Sequence, residues 1–287
     1  MAQVLVLGSS GMLGSMVARV LREAEHSVVL TDRAGSANNI PFDVATHSIR
    51  DVLASVPDLS YVINAIGIIK PRINEASAES RRAAIRVNGE FPYELAEAAE
   101  SIGVHVLQIA TDCVYSGTEG HYSESDLHDP TDVYGKSKSL GEVPSSSVLH
   151  IRASIIGPEN GRQTSLWEWV RNQPKNASIN GFTNHRWNGV ATFQFGRICD
   201  GIIRNKIRNS GVVHLVPADI VTKASLVRDI AVASGRGDIT VNDVEAGDAI
   251  DRTLSTQDRE FNSALWVQAG YESIPTVTQM VHETPLD

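Results

Sequence analysis

Gly8-Ser9-Ser10-Gly11-Met12-Leu13-Gly14 follows directly on the apolar run Gln3 to Leu7, and Leu13, Val17, Val20 and Leu21 then recur at helical spacing. Strand, glycine turn and helix in that order form the context in which a glycine motif reads as a dinucleotide site. Gly8 permits the tight turn, Gly11 lets a pyrophosphate approach the backbone, and Gly14 lets the helix pack closely on the strand. The free N–H groups at the helix start would face the phosphates, which makes Gly8, Ser10, Gly11, Met12, Leu13 and Gly14 the candidate cradle. A second strand, Ser27 to Thr31, ends in Asp32, about twenty residues past the glycines, where an acid can bind the adenine ribose hydroxyls. Asp32 favours NADH because it would repel a 2′-phosphate. Its neighbour Arg33 could clamp that phosphate, and NADPH is the preferred expectation of the two.

Strand-like and helix-like segments continue to alternate through the first half, as in a parallel sheet covered on both faces. Ile40-Pro41-Phe42-Asp43-Val44 reads as a short third strand, with Asp43 and Val44 near the adenine of a bound cofactor. Tyr61 to Ile66 reads as a fourth, ending at Asn64-Ala65-Ile66-Gly67, where Ala65, Ile66 and Gly67 would let a flat ring lie close to backbone. A helical stretch runs from about Glu75 to Ser101 and carries Asn88 in its middle, a mediocre helix former that suggests a hydrogen-bonding or packing role. Val104 to Ile109 and Val148 to Ala153 complete the strands, and Ile155-Ile156-Gly157-Pro158 reads as a breaker.

The chemistry is expected at two places. The strand Val104 to Ile109 runs into Ala110-Thr111-Asp112-Cys113-Val114-Tyr115, and residues at the carboxyl ends of strands line the ligand crevice of a doubly wound sheet. Tyr134-Gly135-Lys136-Ser137-Lys138 follows a helix start at Asp132-Val133. At i, i+4 the phenol and the ammonium rise from one helix face. An ammonium beside a phenol favours the phenolate, so Tyr134 is expected to titrate nearer neutrality than the usual value of about 10. The same spacing occurs by chance on solvated helices; its conjunction with the glycine turn and Thr111 gives it weight.

Composition narrows the field. A formal net charge of −9 over 287 residues argues against a general binder of nucleic acid or acidic membranes. Two cysteines, Cys113 and Cys199, make no disulfide framework, and no Cys/His spacing suggests a metal. With no basic leader and no apolar span of membrane length, a cytoplasmic protein is expected. Beyond Pro158 the alternation fails, and all four tryptophans lie there (Trp167, Trp169, Trp187 and Trp266). The expected organisation is a Rossmann-type domain over residues 1–158, then a smaller substrate-binding portion over 159–287 with some segments returning to the main sheet. Phe182-Thr183-Asn184-His185-Arg186-Trp187-Asn188-Gly189 is the expected ligand loop, offering an aromatic face, a guanidinium and amides.

With these residues in view, the chain resembles the extended short-chain dehydrogenase/reductases, and among them the dTDP-4-dehydrorhamnose reductase group. Thr111-Asp112-Cys113-Val114-Tyr115-Ser116-Gly117 is similar to that group's T-D-x-V-F-x-G segment. Asp129 to Lys138, continuing to Gly141-Glu142, is similar to its P-x-N-x-Y-G-x-T-K-x-x-G-E stretch. The likeness runs on through Ile151-Arg152-Ala153-Ser154 and Gly211-Val212-Val213-His214-Leu215, and more faintly Arg252-Thr253-Leu254. It implies a catalytic set of Thr111, Tyr134 and Lys138, with Tyr134 and Lys138 also touching the cofactor. It also implies reduction by NADPH or NADH of a 4-keto group on a nucleotide-linked 6-deoxysugar, in cell-surface polysaccharide or related glycan biosynthesis. Thr111, Asp112, Cys113, Phe182, Arg186, Trp187 and Arg252 would border the substrate, Arg186 or Arg252 meeting its diphosphate. Dehydratases of the superfamily carry a glutamate where Cys113 stands, so that chemistry is not expected. A non-catalytic subunit, such as the beta subunit of methionine adenosyltransferase, and a sugar-nucleotide epimerase are the alternatives. A homodimer is expected from the habits of the superfamily.

Overall fold

The computed structural model describes residues 1–36, 38–159, 161 and 165–286. Its first half runs β1 (Gln3–Leu7), α1 (Met12–Glu23), β2 (Ser27–Asp32), β3 (Ile40–Pro41), α2 (Ile49–Ala54) and β4 (Leu59–Asn64). It continues through α3 (Ala78–Ala84), α4 (Phe91–Ser101), β5 (His105–Ala110), α5 (Val133–Leu140) and β6 (Val148–Arg152). The second half begins with β7 (Ile155–Ile156), α6 (Leu166–Arg171), β8 (Ser178–Phe182), β9 (His185–Trp187), β10 (Val190–Ala191) and α7 (Thr192–Arg204). Then follow β11 (Gly211–His214), β12 (Val221–Thr222), α8 (Lys223–Ala233), β13 (Thr240–Val244), β14 (Ile250–Asp251), α9 (Arg259–Gln268) and α10 (Val277–Glu283).

Seven strands form one parallel sheet in the order β11-β6-β5-β4-β1-β2-β3. Val4 to Leu7 are wholly buried, because helices cover both faces and a central parallel strand must be apolar on each. Val4, Val6, Leu13, Val17 and Leu21 join one core with Phe195, Ile198 and Ile202 of α7. Leu5, Leu7, Val52, Leu53, Phe91 and Leu95 form the other, under α2 and α4. Strand order reverses between β1 and β4, and there the carboxyl ends of the strands open a crevice. Among the described residues no helix is long and apolar enough to cross a membrane.

Most expected elements appear within a residue or two, and four differ. The third strand is Ile40–Pro41 instead of Ile40 to Val44; proline cannot donate to a ladder and sits at a sheet edge. The long helix is α3 and α4 joined by a π-helical turn, Ile85–Glu90. Pro92, in the first turn of α4, has no N–H to give the Asn88 carbonyl. The expected ligand loop from Phe182 to Gly189 is largely extended: β8 pairs with β13, and β9 with β12 and β14. Ile155–Ile156, read as a breaker, pairs as β7 with β10.

Candidate active site

A cleft of about 420 Å³ opens at the sheet's reversal point, lined by the start of α1, the ends of β4 and β5, one face of α5 and segments from the second half. Its floor begins at the glycine turn. Gly8 has φ 77°, and a Cβ on Gly14 would stand 2.3 Å from the Gly8 carbonyl oxygen, so only glycine lets α1 start this close to β1. Gly11 donates its N–H to the Gly8 oxygen at 3.0 Å. No side chain caps the helix after it, which leaves the amides of its first turn as donors. Gly11, Met12 and Leu13 line the cleft here, with Ala65, Ile66 and Gly67 from beyond β4. The fold therefore presents uncapped helix amides and small residues where a dinucleotide's phosphates and ring would lie.

Thr111 follows β5. Its hydroxyl accepts from the Cys113 N–H at 3.2 Å and lies 3.1 Å from Asp112 Oδ1, to which it donates. Asp132 caps α5 by accepting from the Gly135 N–H at 2.8 Å. A Cβ on Gly135 would meet the Cys113 carbonyl oxygen at 2.2 Å, so this glycine lets α5 lie against the Thr111 turn. Tyr134 and Lys138 reach the cleft beside Thr111. Buried Asn88 of the π-helical turn donates to Ser137 Oγ at 3.1 Å and to the Ile68 carbonyl at 2.9 Å, and accepts from the Ile68 N–H at 2.8 Å. It ties α5 to the loop after β4.

The electrostatics differ from expectation in one respect. Burial above all, with Cys113 and the carboxylates of Asp112 and Asp132 nearby, pushes the Tyr134 phenol up rather than down. Lys138 donates to the Ile109 carbonyl at 2.7 Å, and burial lowers its own pKa to about 8. Tyr134 is thus held as the neutral phenol, a proton donor. Burial also raises Asp112 and pushes the Cys113 thiol up to about 12, which leaves that thiol un-ionised.

Other expected cofactor residues lie outside this lining. Asp32 is 6% exposed, and its carboxylate accepts four hydrogen bonds from its own loop. They come from the N–H groups of Ala34 (2.8 Å) and Ser36 (3.1 Å), Ser36 Oγ (2.5 Å) and Asn39 Nδ2 (2.6 Å). Those bonds hold it well below the usual carboxylate range and fill its acceptor sites, so Asp32 is committed to shaping the loop. Arg33 is exposed beside it. Asp43 Oδ1 caps a turn at the Ala45 N–H, 2.8 Å away, and the Val44 carbonyl accepts from Arg86.

The expected substrate residues divide. Trp187, 4% exposed, lines the cleft and donates Nε1–H to Ser154 Oγ at 2.7 Å. Arg186 precedes it on β9, and successive strand residues face opposite ways. The Arg186 side chain is exposed, 3.6 Å from Asp251. Phe182 packs on His185 instead of bordering the pocket. Arg252 donates Nε–H to the Tyr115 carbonyl at 2.9 Å and lies over Gly117. Missed by sequence reasoning are Ser154, Arg72 and Lys223, all in the lining. Lys223 carried a usable signal: a cation in the first position of a capped helix runs against the helix dipole.

Strand order and glycine turn together define a Rossmann-type α/β protein. The RmlD substrate binding domain family matches residues 1–166, and the chain belongs to that family. It is 31% identical over 181 residues to a probable low-salt glycan biosynthesis reductase of Haloferax volcanii, covering 58% of each. It is 35% identical over 163 residues to a dTDP-4-dehydrorhamnose reductase of Streptomyces griseus, covering 53% of this chain and 47% of that one. The chain thus spans about half the length of the curated relatives it matches. The crystal structure of the Bacillus anthracis dTDP-4-dehydrorhamnose reductase in complex with NADP superposes with a TM-score of 0.77 at 17% identity, covering 98% of each chain. The resemblance read from residues 111–117 and 129–142 is borne out, and so is the doubly wound fold.

Proposed function

We propose that the protein is a nicotinamide-dependent reductase of a keto group on a nucleotide-linked sugar, the 4-keto group of a 6-deoxysugar being the specific substrate. One observation carries this reading: Thr111, neutral Tyr134 and Lys138 converge in a single cleft beside the uncapped start of α1. Relatives that are reductases of glycan biosynthesis support it. A bound reduced nicotinamide supplies the hydride. The Thr111 hydroxyl, turning its one proton from Asp112, and the Tyr134 phenol hold the carbonyl oxygen, and Tyr134 gives it a proton as negative charge develops, leaving an alcohol. Lys138, with one proton on the Ile109 carbonyl, keeps two more for the cofactor's ribose. NADPH is the preferred cofactor, because Asp32 is occupied by its own loop and Arg33 stands exposed beside it.

The test is oxidation of NADPH in the presence of 4-keto-6-deoxy sugar nucleotides, followed by absorbance. General acid catalysis contributes about 10²–10⁴-fold, so Tyr134→Phe should lose at least about a hundredfold in turnover while cofactor affinity holds. Wild-type rates in that variant would refute the assignment. Tight cofactor binding with no turnover of any keto-sugar would instead indicate a non-catalytic subunit.

A further inference from the structure

Among the cations of the cleft that the proposed reaction does not use, Lys223 is the one from the second half of the chain. Lys223 is the first residue of α8, after Thr222, whose hydroxyl caps the helix at the Ser225 N–H, 3.1 Å away. β12 pairs antiparallel with β9, Val221 opposite Trp187, and this register carries the helix start to the cleft wall. The Lys223 ammonium lies 5.2 Å from the centre of the Trp187 ring. Among the described residues it makes no hydrogen bond and no ion pair within 4.0 Å. Asp112, the carboxylate nearby, is hydrogen-bonded to Thr111 instead.

We propose that Lys223 anchors the diphosphate of a sugar-nucleotide substrate, the task that sequence reasoning gave to Arg186 or Arg252. The assignment rests on the sugar-nucleotide reading above. A diphosphate carried into a cleft calls for a cation, and the lining offers three: Arg72, Lys138 and Lys223. Lys138 is committed to the Ile109 carbonyl and stands beside Tyr134. Arg72 is exposed, in the 3₁₀ turn Lys70–Arg72 beyond β4, on the glycine-turn side. Lys223 alone of the three comes from the second half of the chain, where it stands over Trp187. Its ammonium adds to the positive end of an eleven-residue helix, an arrangement unfavourable by itself and relieved by an anion. Burial depresses its pKa to about 8 and outweighs the opposing pull of Asp112 and Cys113 nearby. Arg186 faces away across β9 and is paired with Asp251, and Arg252 is spent on the Tyr115 carbonyl.

The test is calorimetric titration of the whole protein with dTDP, UDP, thymidine and uridine, none of which needs turnover. Wild type should bind a nucleoside diphosphate more tightly than its nucleoside. Lys223→Gln should weaken the diphosphate at least about tenfold and leave nucleoside and NADPH affinities alone, and Lys223→Arg should keep most of the binding. Unchanged dTDP and UDP affinity in Lys223→Gln overturns the proposal. So does a loss confined to nucleotide sugars bearing a carboxylate, which would put the anion on the sugar. A Lys223-dependent diphosphate site in a protein whose Tyr134→Phe variant is unimpaired would sink the reductase reading and keep the anchor; the converse result would do the opposite.

Discussion

The floor of the cleft and its far wall are built from different kinds of information. Each part of the floor is assembled by residues close in sequence: a glycine turn between β1 and α1, a turn after β5, and one face of α5. Helix periodicity and strand ends dictate where such side chains point. The far wall joins Ser154, Trp187 and Lys223, which stand far apart in the chain; Trp187 meets Lys223 through the pairing of β9 with β12 and Ser154 through a hydrogen bond. Adjacency misleads there. Arg186 and Trp187 are neighbours in sequence and lie on opposite faces of a strand. A floor of this kind can be read from spacing, whereas a wall of this kind needs the register.

The sharpest way to break that contrast is to displace the floor without touching a reacting group. A methyl on Gly135 cannot coexist with the Cys113 oxygen at 2.2 Å, so α5 must move and carry Tyr134 away from Thr111. Gly135→Ala should cost about 1–3 kcal/mol of stability and lower turnover at least about a hundredfold, since small misplacements of catalytic groups are that expensive. Gly237→Ala, where an added Cβ meets nothing within 4 Å, is the control. Thermal melts and turnover numbers on both variants decide it; a fully active Gly135→Ala would mean that the contact does not position Tyr134.

The sequence was informative where local rules suffice. Five strands of the main sheet, α1 and the Asp132 start of α5 lie within a residue or two of expectation. Thr111, Tyr134 and Lys138 all line the cleft, since a helix and a strand end leave them little choice. Asp32 was placed correctly at the end of β2 but its partners were not foreseeable. Four donors within seven residues close on it only once the loop has folded. The Tyr134 shift was misjudged because spacing reveals a nearby ammonium and hides burial. Lys223 was overlooked because nothing local links it to Trp187.

A polar cluster fastens the two halves together and makes the second prediction. Arg152 of β6 donates to both oxygens of Glu142 at 2.7 and 2.5 Å, and to Tyr115 Oη at 2.7 Å. It also meets His128 Nε2 at 2.6 Å and His214 Nε2, on β11, at 3.0 Å. Both Nε2 atoms must therefore accept, and their protons sit on Nδ1, facing Ser139 Oγ and the Ser255 carbonyl. Burial, then the Arg152 charge, depresses His128; burial is also the main cause for His214. A depressed histidine takes up its proton later in the folded state than in the unfolded chain. Its stabilising contribution is present above the unfolded pKa of about 6.5 and is lost as pH falls below it, by at most ~1.4 kcal/mol per pH unit per histidine. The melting temperature should drop between pH 7 and pH 5, and His128→Gln with His214→Gln should reduce that slope, the remainder coming from His105 and His150, which burial also depresses. A flat profile in the wild type would show that the clasp tolerates the extra charge.

A smaller effect is expected where the floor meets the cofactor's adenosine end. Asp32 is saturated by its loop and Arg33 is exposed, so the guanidinium should decide between cofactors. Arg33→Ala should raise the Michaelis constant for NADPH roughly tenfold, the scale of one charge-assisted contact, and leave that for NADH within error. A strong NADH preference unaffected by the change would show that Asp32 leaves its loop to bind ribose.

The smallest effect belongs to Arg186, and it tests the wall most directly. Sequence proximity to Trp187 makes this arginine look like a ligand residue, while the register turns it to solvent, 3.6 Å from Asp251 with about half its side chain exposed. Exposed pairs of this kind contribute about 0–1 kcal/mol. Arg186→Ala should thus leave the substrate's Michaelis constant within about twofold and the melting temperature nearly unchanged. Lys223→Gln, from the strand-paired neighbour of β9, should weaken substrate binding in the same assay. If Arg186→Ala weakens binding and Lys223→Gln does not, then β9 presents its other face to the substrate, and adjacency in sequence was the better guide.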